Sequence, residues 1–308
     1  MGKMIETMHL TKRFRGFAAV RDVSLSVEHG EIYGFLGLNG AGKTTTIRML
    51  LGLIRPSTGC ARICGEPVGA GGRGPWARVG ALVETPHAYP ELTVWENLEV
   101  ARRMRCIAER RASDRIADML RLTAYRDKRA GELSLGNMQR LGLARAMIHQ
   151  PDVLILDEPA NGLDPAGIVE IRRYLIELAT ARGVTIFVSS HNLDEIARVA
   201  TRIGVIHQGG LLTEMNAAEI DRLRRKRLLV GARDRQRAKE MLRREGFAVA
   251  DGGGELLELT GQRALERPDT IAAILAAANN PPTALWKKED SLEAVFMELI
   301  GTRGERDG

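Results

Sequence analysis

An α/β protein with a largely parallel buried sheet and a smaller α+β second domain is predicted by three features of this 308-residue sequence. Apolar runs rich in Val, Ile and Leu alternate with helical patterns. One of these runs leads through a glycine-rich stretch straight into a helix. After Gly209-Gly210 the character changes and basic residues crowd together. The composition, 44% apolar and 27% charged with 33 Gly, excludes collagen-like, disulfide-scaffolded and largely disordered chains. Cys60, Cys64 and Cys106 cannot all pair among themselves and complete no Cys/His zinc set, so they read as reduced, buried thiols of a cytosolic protein. The net charge of +6 is too small an excess to name nucleic acid as a partner. The N-terminal MGKMIETMHLTKRF lacks the apolar core of a signal peptide, and no run of about 18 apolar residues follows, so neither export nor a membrane span is expected. Lys3 after Gly2, and Glu6 where Ser or Thr is required, argue against N-myristoylation.

Taken in order, the apolar runs 32–36, 79–83, 153–156, 184–188 and 203–206 read as strands. GAGGRGP at 69–75 reads as a loop tip, because its glycines and proline forbid regular structure. Residues 93–122 hold two helical patterns separated around 109–113, with Arg102, Arg103, Arg105, Arg110 and Arg111 on the exposed side, and read as a small helical lobe. The helix from Pro165 carries Ile168, Ile171, Leu175 and Leu178 on one stripe, with Arg172 and Arg173 pointing elsewhere. A second domain is expected from about residue 216, with eleven Lys/Arg against four Asp/Glu over 221–245. Its pattern is helix 236–245, strand 247–250, strand 255–260 and helix 268–278. Asp290-Ser291-Leu292-Glu293 forms a potential capping box before a helix with Leu292, Val295, Phe296, Leu299 and Ile300 on one face.

The most informative stretch is Gly37-Leu38-Asn39-Gly40-Ala41-Gly42-Lys43-Thr44-Thr45, a complete GxxxxGK[ST] between a strand and a helix. Its glycines let backbone N–H groups and the helix N-terminus converge on phosphate oxygens, Lys43 adds a mobile positive charge, and Thr44 offers a hydroxyl to Mg²⁺. The strand at 153–156 ends in Asp157 and Glu158, and a buried strand tolerates adjacent carboxylates only where a cation or polar network receives them. Asp157 suits a Mg²⁺ shell, and Glu158 suits orienting or deprotonating an attacking water, as nucleotide hydrolysis requires.

With these elements in place, the chain resembles the nucleotide-binding subunit of ATP-binding-cassette (ABC) transporters over about residues 3–215. Leu133-Ser134-Leu135-Gly136-Asn137-Met138-Gln139-Arg140 is similar to the family's signature, Asn161-Gly162-Leu163-Asp164 to its D-loop, and Ser189-Ser190-His191 to its switch histidine. Phe14 stands where the family stacks an aromatic on adenine, with Phe17 nearby as the alternative ring. Glu84 stands where a glutamine is usual, placing an extra negative charge near Mg²⁺. The resemblance implies a P-loop NTPase nucleotide-binding domain over 1–215, with a RecA-like core, an antiparallel β subdomain and a helical subdomain near 90–150, followed by an accessory α+β domain over 216–308.

It further implies ATP and Mg²⁺ as cofactors, with Phe14, residues 37–45, Ser134 and Gly136 binding nucleotide. Thr44, Glu84 and Asp157 would surround the metal, and Glu158 and His191 would be catalytic. The Ser134 helix start would close on the γ-phosphate held by a second copy, so the chain must pair to work. A separate transmembrane permease is the implied partner, gripped by 86–97 and the lobe after it, where Tyr89 and Trp95 either meet the permease or pack internally. The implied location is the cytoplasmic face of the membrane. Leu135 for the usual glycine, Asn137 for the usual glutamine and the Glu84 exchange look like those of bacitracin-resistance and lantibiotic self-protection exporters. A soluble ABC-type ATPase acting on nucleic acid or ribosomes is the alternative, disfavoured by the single phosphate loop and the lack of a long coiled-coil insertion. A non-hydrolysing regulatory module is disfavoured by intact Glu158 and His191.

Overall fold

The computed structural model describes residues 2–69, 74–84, 88–216 and 225–290, together with Glu219, Arg222, Ala294 and Met297. Residues 291–293 of the potential capping box and the apolar face after it, like most of the 69–75 loop tip, lie outside the described residues. The chain divides into two compact units, Met1–Ala217 and Ala218–Gly308.

The first unit runs β1 (Lys3–Phe14), β2 (Phe17–Glu28), β3 (Ile32–Leu36), α1 (Lys43–Leu50), β4 (Thr58–Ile63), β5 (Glu66–Pro67), β6 (Val79–Leu82) and α2 (Val94–Met104). It continues with α3 (Ala112–Met119), α4 (Leu135–Met147), β7 (Val153–Asp157), α5 (Pro165–Arg182), β8 (Thr185–Ser190), α6 (Leu193–Ala197), β9 (Arg202–His207) and β10 (Gly210–Asn216). Six strands form one sheet in the order β10-β9-β3-β8-β7-β6, parallel except for the β10 edge. Every residue of β3, β7 and β8 is buried, as expected of parallel strands covered on both faces. An antiparallel sheet, β2-β1-β4-β5, shares a core with it: Leu10, Val23, Leu25 and Ile63 pack in one cluster with Phe35, Ile47, Ile155 and Phe187. Helix α5 starts on Asp164, whose carboxylate accepts the Gly167 N–H at 3.0 Å, and buries Ile171, Leu175 and Leu178. Each such side chain contributes about 1.5–3 kcal/mol on full burial. Arg172 does not point away as its spacing suggests: it is half-buried, with Nε shielded from solvent.

The helical lobe opens with a capping box, Thr93 Oγ1 accepting the Glu96 N–H at 3.2 Å and Glu96 accepting the Thr93 N–H at 2.7 Å. One turn on, Glu99 accepts from Arg102 Nε and Nη2 at 2.7 and 2.6 Å and from Arg103 Nε at 2.9 Å. Arg102 is therefore not on the exposed side as its pattern suggests: its side chain is only 12% exposed, folded onto Glu99. Bonding to Arg102, then to Arg103, holds the Glu99 carboxyl at about 2 against an ordinary 4.5. A depressed carboxylate adds stability that is complete above its unfolded value and is lost as pH falls through the folded one. The melting difference between wild type and Glu99→Gln is thus expected to be full at pH 7 and to shrink steadily from about pH 4.5 toward 2 in thermal melts. A constant difference over that range removes the charge from the account.

The thiols are not buried as expected: Cys60 and Cys106 are exposed and Cys64 is half-buried, all three free. Cys60 falls on the outward face of β4, and Cys106 on a turn with positive φ after α2.

The second unit comprises β11 (Lys226–Ala232), α7 (Arg235–Arg244), β12 (Val249–Asp251), β13 (Leu256–Leu259), α8 (Gln262–Glu266), α9 (Pro268–Ala277) and β14 (Pro282–Glu289). The order β12-β13-β11-β14 with β-α-β-β-α-β connectivity is a ferredoxin-like split βαβ arrangement. Its core gathers Leu228, Val230, Leu242, Phe247, Leu259 and Ile271. Within the basic run, β11 is a central strand rather than part of a charged surface, pairing with β13 on one side and β14 on the other.

Candidate nucleotide site

Parallel register brings the chemistry to one edge. Leu36 pairs with Ser190 and Asp157 with Ser189, so the loop after β3, the acids ending β7 and the histidine after β8 emerge together at the carboxyl ends of the strands. Because β8 lies between β3 and β7, His191 stands between the glycine loop and Glu158.

The loop is fixed by close approach of backbone. A Cβ on Gly37 would lie 2.6 Å from the Ile206 carbonyl oxygen. One on Gly42, at φ +108, would lie 2.5 Å from that of Ala19, so no side chain fits either place. Ala41 is buried, Thr45 half-buried, and Leu38, Asn39 and Gly40 are exposed at the rim. Lys43, 6% exposed, folds back over the loop and donates from Nζ to the Gly37 and Leu38 carbonyls at 2.7 and 3.3 Å.

Around Lys43 the polar groups form a connected cluster. Lys43 Nζ lies 3.2 Å from Glu158 Oε1, and His191 Nδ1 lies 2.8 Å from Glu158 Oε2. The Glu158 backbone is held at φ +50, an uncommon conformation for a glutamate and of the kind that functional sites retain. Thr44 donates to Asp157 Oδ2 at 2.8 Å, and Ser189 donates to Asp157 Oδ1 at 2.6 Å while accepting the Glu158 N–H at 3.0 Å. Ser189 thus orders both acids, a role that sequence reading assigned to no residue; its registry with Asp157 across β7 and β8 is the signal for it.

Thr44 and Asp157 offer two hard oxygens, one on a carboxylate only 2% exposed. Hard oxygen donors of this kind are what Mg²⁺ prefers, and here the Thr44 hydroxyl donates to Asp157 Oδ2 at 2.8 Å. The residues present fit that ion. Glu84 faces the same cavity of about 370 Å³ as Thr44, Asp157 and Glu158, but its carboxylate is paired with the Arg48 guanidinium.

The remaining candidates stand at the rim or beyond it. Phe14 and Phe17 are cross-strand partners at the β1–β2 turn, 48% and 63% exposed, so neither belongs to the core. Lys12 Nζ sits 5.0 Å from the Phe14 ring centre. Ser134 caps α4, its hydroxyl accepting the Asn137 N–H at 3.4 Å, and is exposed with Leu135 beside it. Gly136 lies against the Leu163 side chain. Tyr89 is 47% exposed, whereas Trp95 is half-buried with Arg126 5.1 Å over its ring. The fully buried Asn97 ties the intervening loop, accepting the Tyr89 N–H at 2.8 Å and donating to the carbonyls of Tyr89, Leu92 and Thr93.

A strand–loop–helix phosphate cradle with its acids and histidine on a parallel sheet defines a nucleotide-hydrolysing P-loop protein. Comparison narrows this. The ABC transporter family model matches residues 20–161. The chain is 39% identical to the bacitracin transport ATP-binding protein BcrA of Bacillus licheniformis, over 98% of each chain. It is 37% identical to its namesake in Enterococcus faecalis, over 99% of this chain and 98% of that one. With a Nod factor export ATP-binding protein of Burkholderia orbicola it shares 41% identity over 68% of this chain and 70% of that one. A solved ATP-binding subunit of an ABC transporter superposes with a TM-score of 0.64 at 29% identity, covering 71% of this chain and 92% of the other. The chain belongs to the ABC transporter family and is an ATP-binding, ATP-hydrolysing subunit of an exporter. Subunits of this family pair and work with a membrane permease; among the described residues no helix is long and apolar enough to cross a membrane.

Proposed function

We propose that this chain powers efflux of a peptide antibiotic as a homodimer docked on the cytoplasmic side of a separate transmembrane permease. The observation that carries the ATPase part is the Lys43–Glu158–His191 cluster beside Thr44–Asp157–Ser189: the groups for binding triphosphate, holding metal and moving a proton already touch one another. The antibiotic cargo rests on similarity to bacitracin transport proteins along the whole chain, second unit included.

The loop N–H groups and Lys43 take the β- and γ-phosphates, and Phe14 offers a face to adenine. Thr44 and Asp157 hold Mg²⁺, which when bound supplies positive charge to the phosphate oxygens. As Lys43 turns to the phosphates, Glu158 Oε1 is released to accept a proton from the attacking water, while His191 steadies the γ-phosphate side. The hydroxyl oxygen joins phosphorus as the bond to the β-phosphate oxygen breaks, giving ADP and phosphate. Ser134 and Gly136 complete the site of the second copy, with two symmetric sites per pair. Tyr89 and the lobe behind it present the permease-facing surface.

Deleting the gene, with its permease intact, is expected to lower the inhibitory concentration of at least one cell-wall-directed peptide antibiotic severalfold in a growth panel, and plasmid-borne Glu158→Gln is expected to fail to restore it. Unchanged sensitivity to the whole panel would remove the cargo proposal and leave the ATPase in place. A nucleic-acid role has no support in the full-length relatives, which are transport proteins.

A further inference from the structure

Three carboxylates line the cavity beside the phosphate loop, and each has its own partner. Asp157 takes the hydroxyls of Thr44 and Ser189, Glu158 takes Lys43 and His191, and Glu84 takes Arg48. Arg48 is four residues beyond Thr44 on α1, so the two residues share a helix face one turn apart. Glu84 is held at φ +58, a left-handed backbone that fixes where its carboxylate begins.

The geometry points to Arg48 as a positioning residue that holds the Glu84 carboxylate off the metal shell until nucleotide arrives. This rests on the nucleotide reading above. A neutral side chain in place of Glu84 would need no such partner. With Glu84 in the same cavity as Asp157 and Glu158, losing Arg48 would leave a third carboxylate without its cation where triphosphate must enter. The pair is half exposed, 42% and 51% at its two side chains, and solvated ion pairs of this kind are weak. It therefore opens easily when a divalent cation competes for the carboxylate, a hard oxygen donor of the kind Mg²⁺ prefers. Arg48 thereby sets how much Mg²⁺ the site requires.

The experiment is binding of a fluorescent trinitrophenyl-ATP as Mg²⁺ is raised, in full-length wild type, Arg48→Gln, Glu84→Gln and the double variant, without turnover. Arg48→Gln is expected to lower the Mg²⁺ concentration at half-saturation by about two- to fivefold, the size of a weak surface pair. The same change in the Glu84→Gln background is expected to shift it by well under twofold. Arg48→Lys, which keeps the charge, is expected to restore the wild-type midpoint. Equal shifts in both backgrounds, or a rise with Arg48→Gln, would overturn the proposal and leave the nucleotide site standing. Absence of Mg²⁺-dependent binding in the wild type would overturn the nucleotide reading itself, and the proposal with it.

Discussion

Glu158→Gln is expected to slow ATP hydrolysis by about 10²–10⁴-fold while leaving nucleotide binding close to wild type. The substitution keeps the side chain's length and a carbonyl oxygen for Lys43 or His191, which sit 3.2 and 2.8 Å away. It removes only the capacity to accept a proton. The backbone at this position is anchored independently of the side chain, since Ser189 Oγ takes the Glu158 N–H at 3.0 Å, so the left-handed turn at φ +50 survives the change. With binding intact and chemistry blocked, the ATP-bound pair has no route to ADP and accumulates. Phosphate release and size-exclusion of the variant with ATP and Mg²⁺ check both halves: a dimer is expected to persist longer in the variant than in wild type. Hydrolysis at the wild-type rate would strip Glu158 of its role and leave His191 as the proton acceptor.

Much of this site was legible because the P-loop and its acids are local: a strand ending in glycines and a strand ending in Asp157-Glu158 declare themselves without tertiary context. The strands 32–36, 79–83 and 203–206 read well for the same reason, continuous apolar runs being the mark of strands buried on both faces. The partners that order the acids were not legible, because Ser189 meets Asp157 only through registry of two strands 32 residues apart. Arg48 meets Glu84 through a fold that joins a helix face to the end of β6. In the second unit β11 was hidden for a different reason. Lys226 and Arg227 open a strand whose next residues, Leu228 to Val230, are buried, and the flanking arginines of 222–225 and 233–237 swamp so short an apolar run. The cysteines went wrong because a general tendency of free thiols to be buried says nothing about which face of a strand or turn a particular one occupies.

Lys43→Met is expected to produce the opposite separation, loss of nucleotide binding ahead of any question of chemistry. The Lys43 side chain is 6% exposed, and its ammonium makes three close contacts, with two loop carbonyls and Glu158. Truncating one member of a buried charge pair costs about 2–5 kcal/mol, part of it the penalty on the partner left behind. At about 1.4 kcal/mol per tenfold, fluorescent ATP should bind between about thirty and several thousand times more weakly. Methionine retains the apolar stem, and Glu158 keeps His191 as a partner at 2.8 Å, so the fold should survive with only a modest loss of melting temperature. Comparing the two variants then distinguishes the phosphate grip from the proton acceptor, although their side chains touch at 3.2 Å. Should Lys43→Met bind ATP as wild type does, the 3.2 Å contact with Glu158 would be a structural ion pair, and the phosphate charge would have to be met by the loop's N–H groups alone.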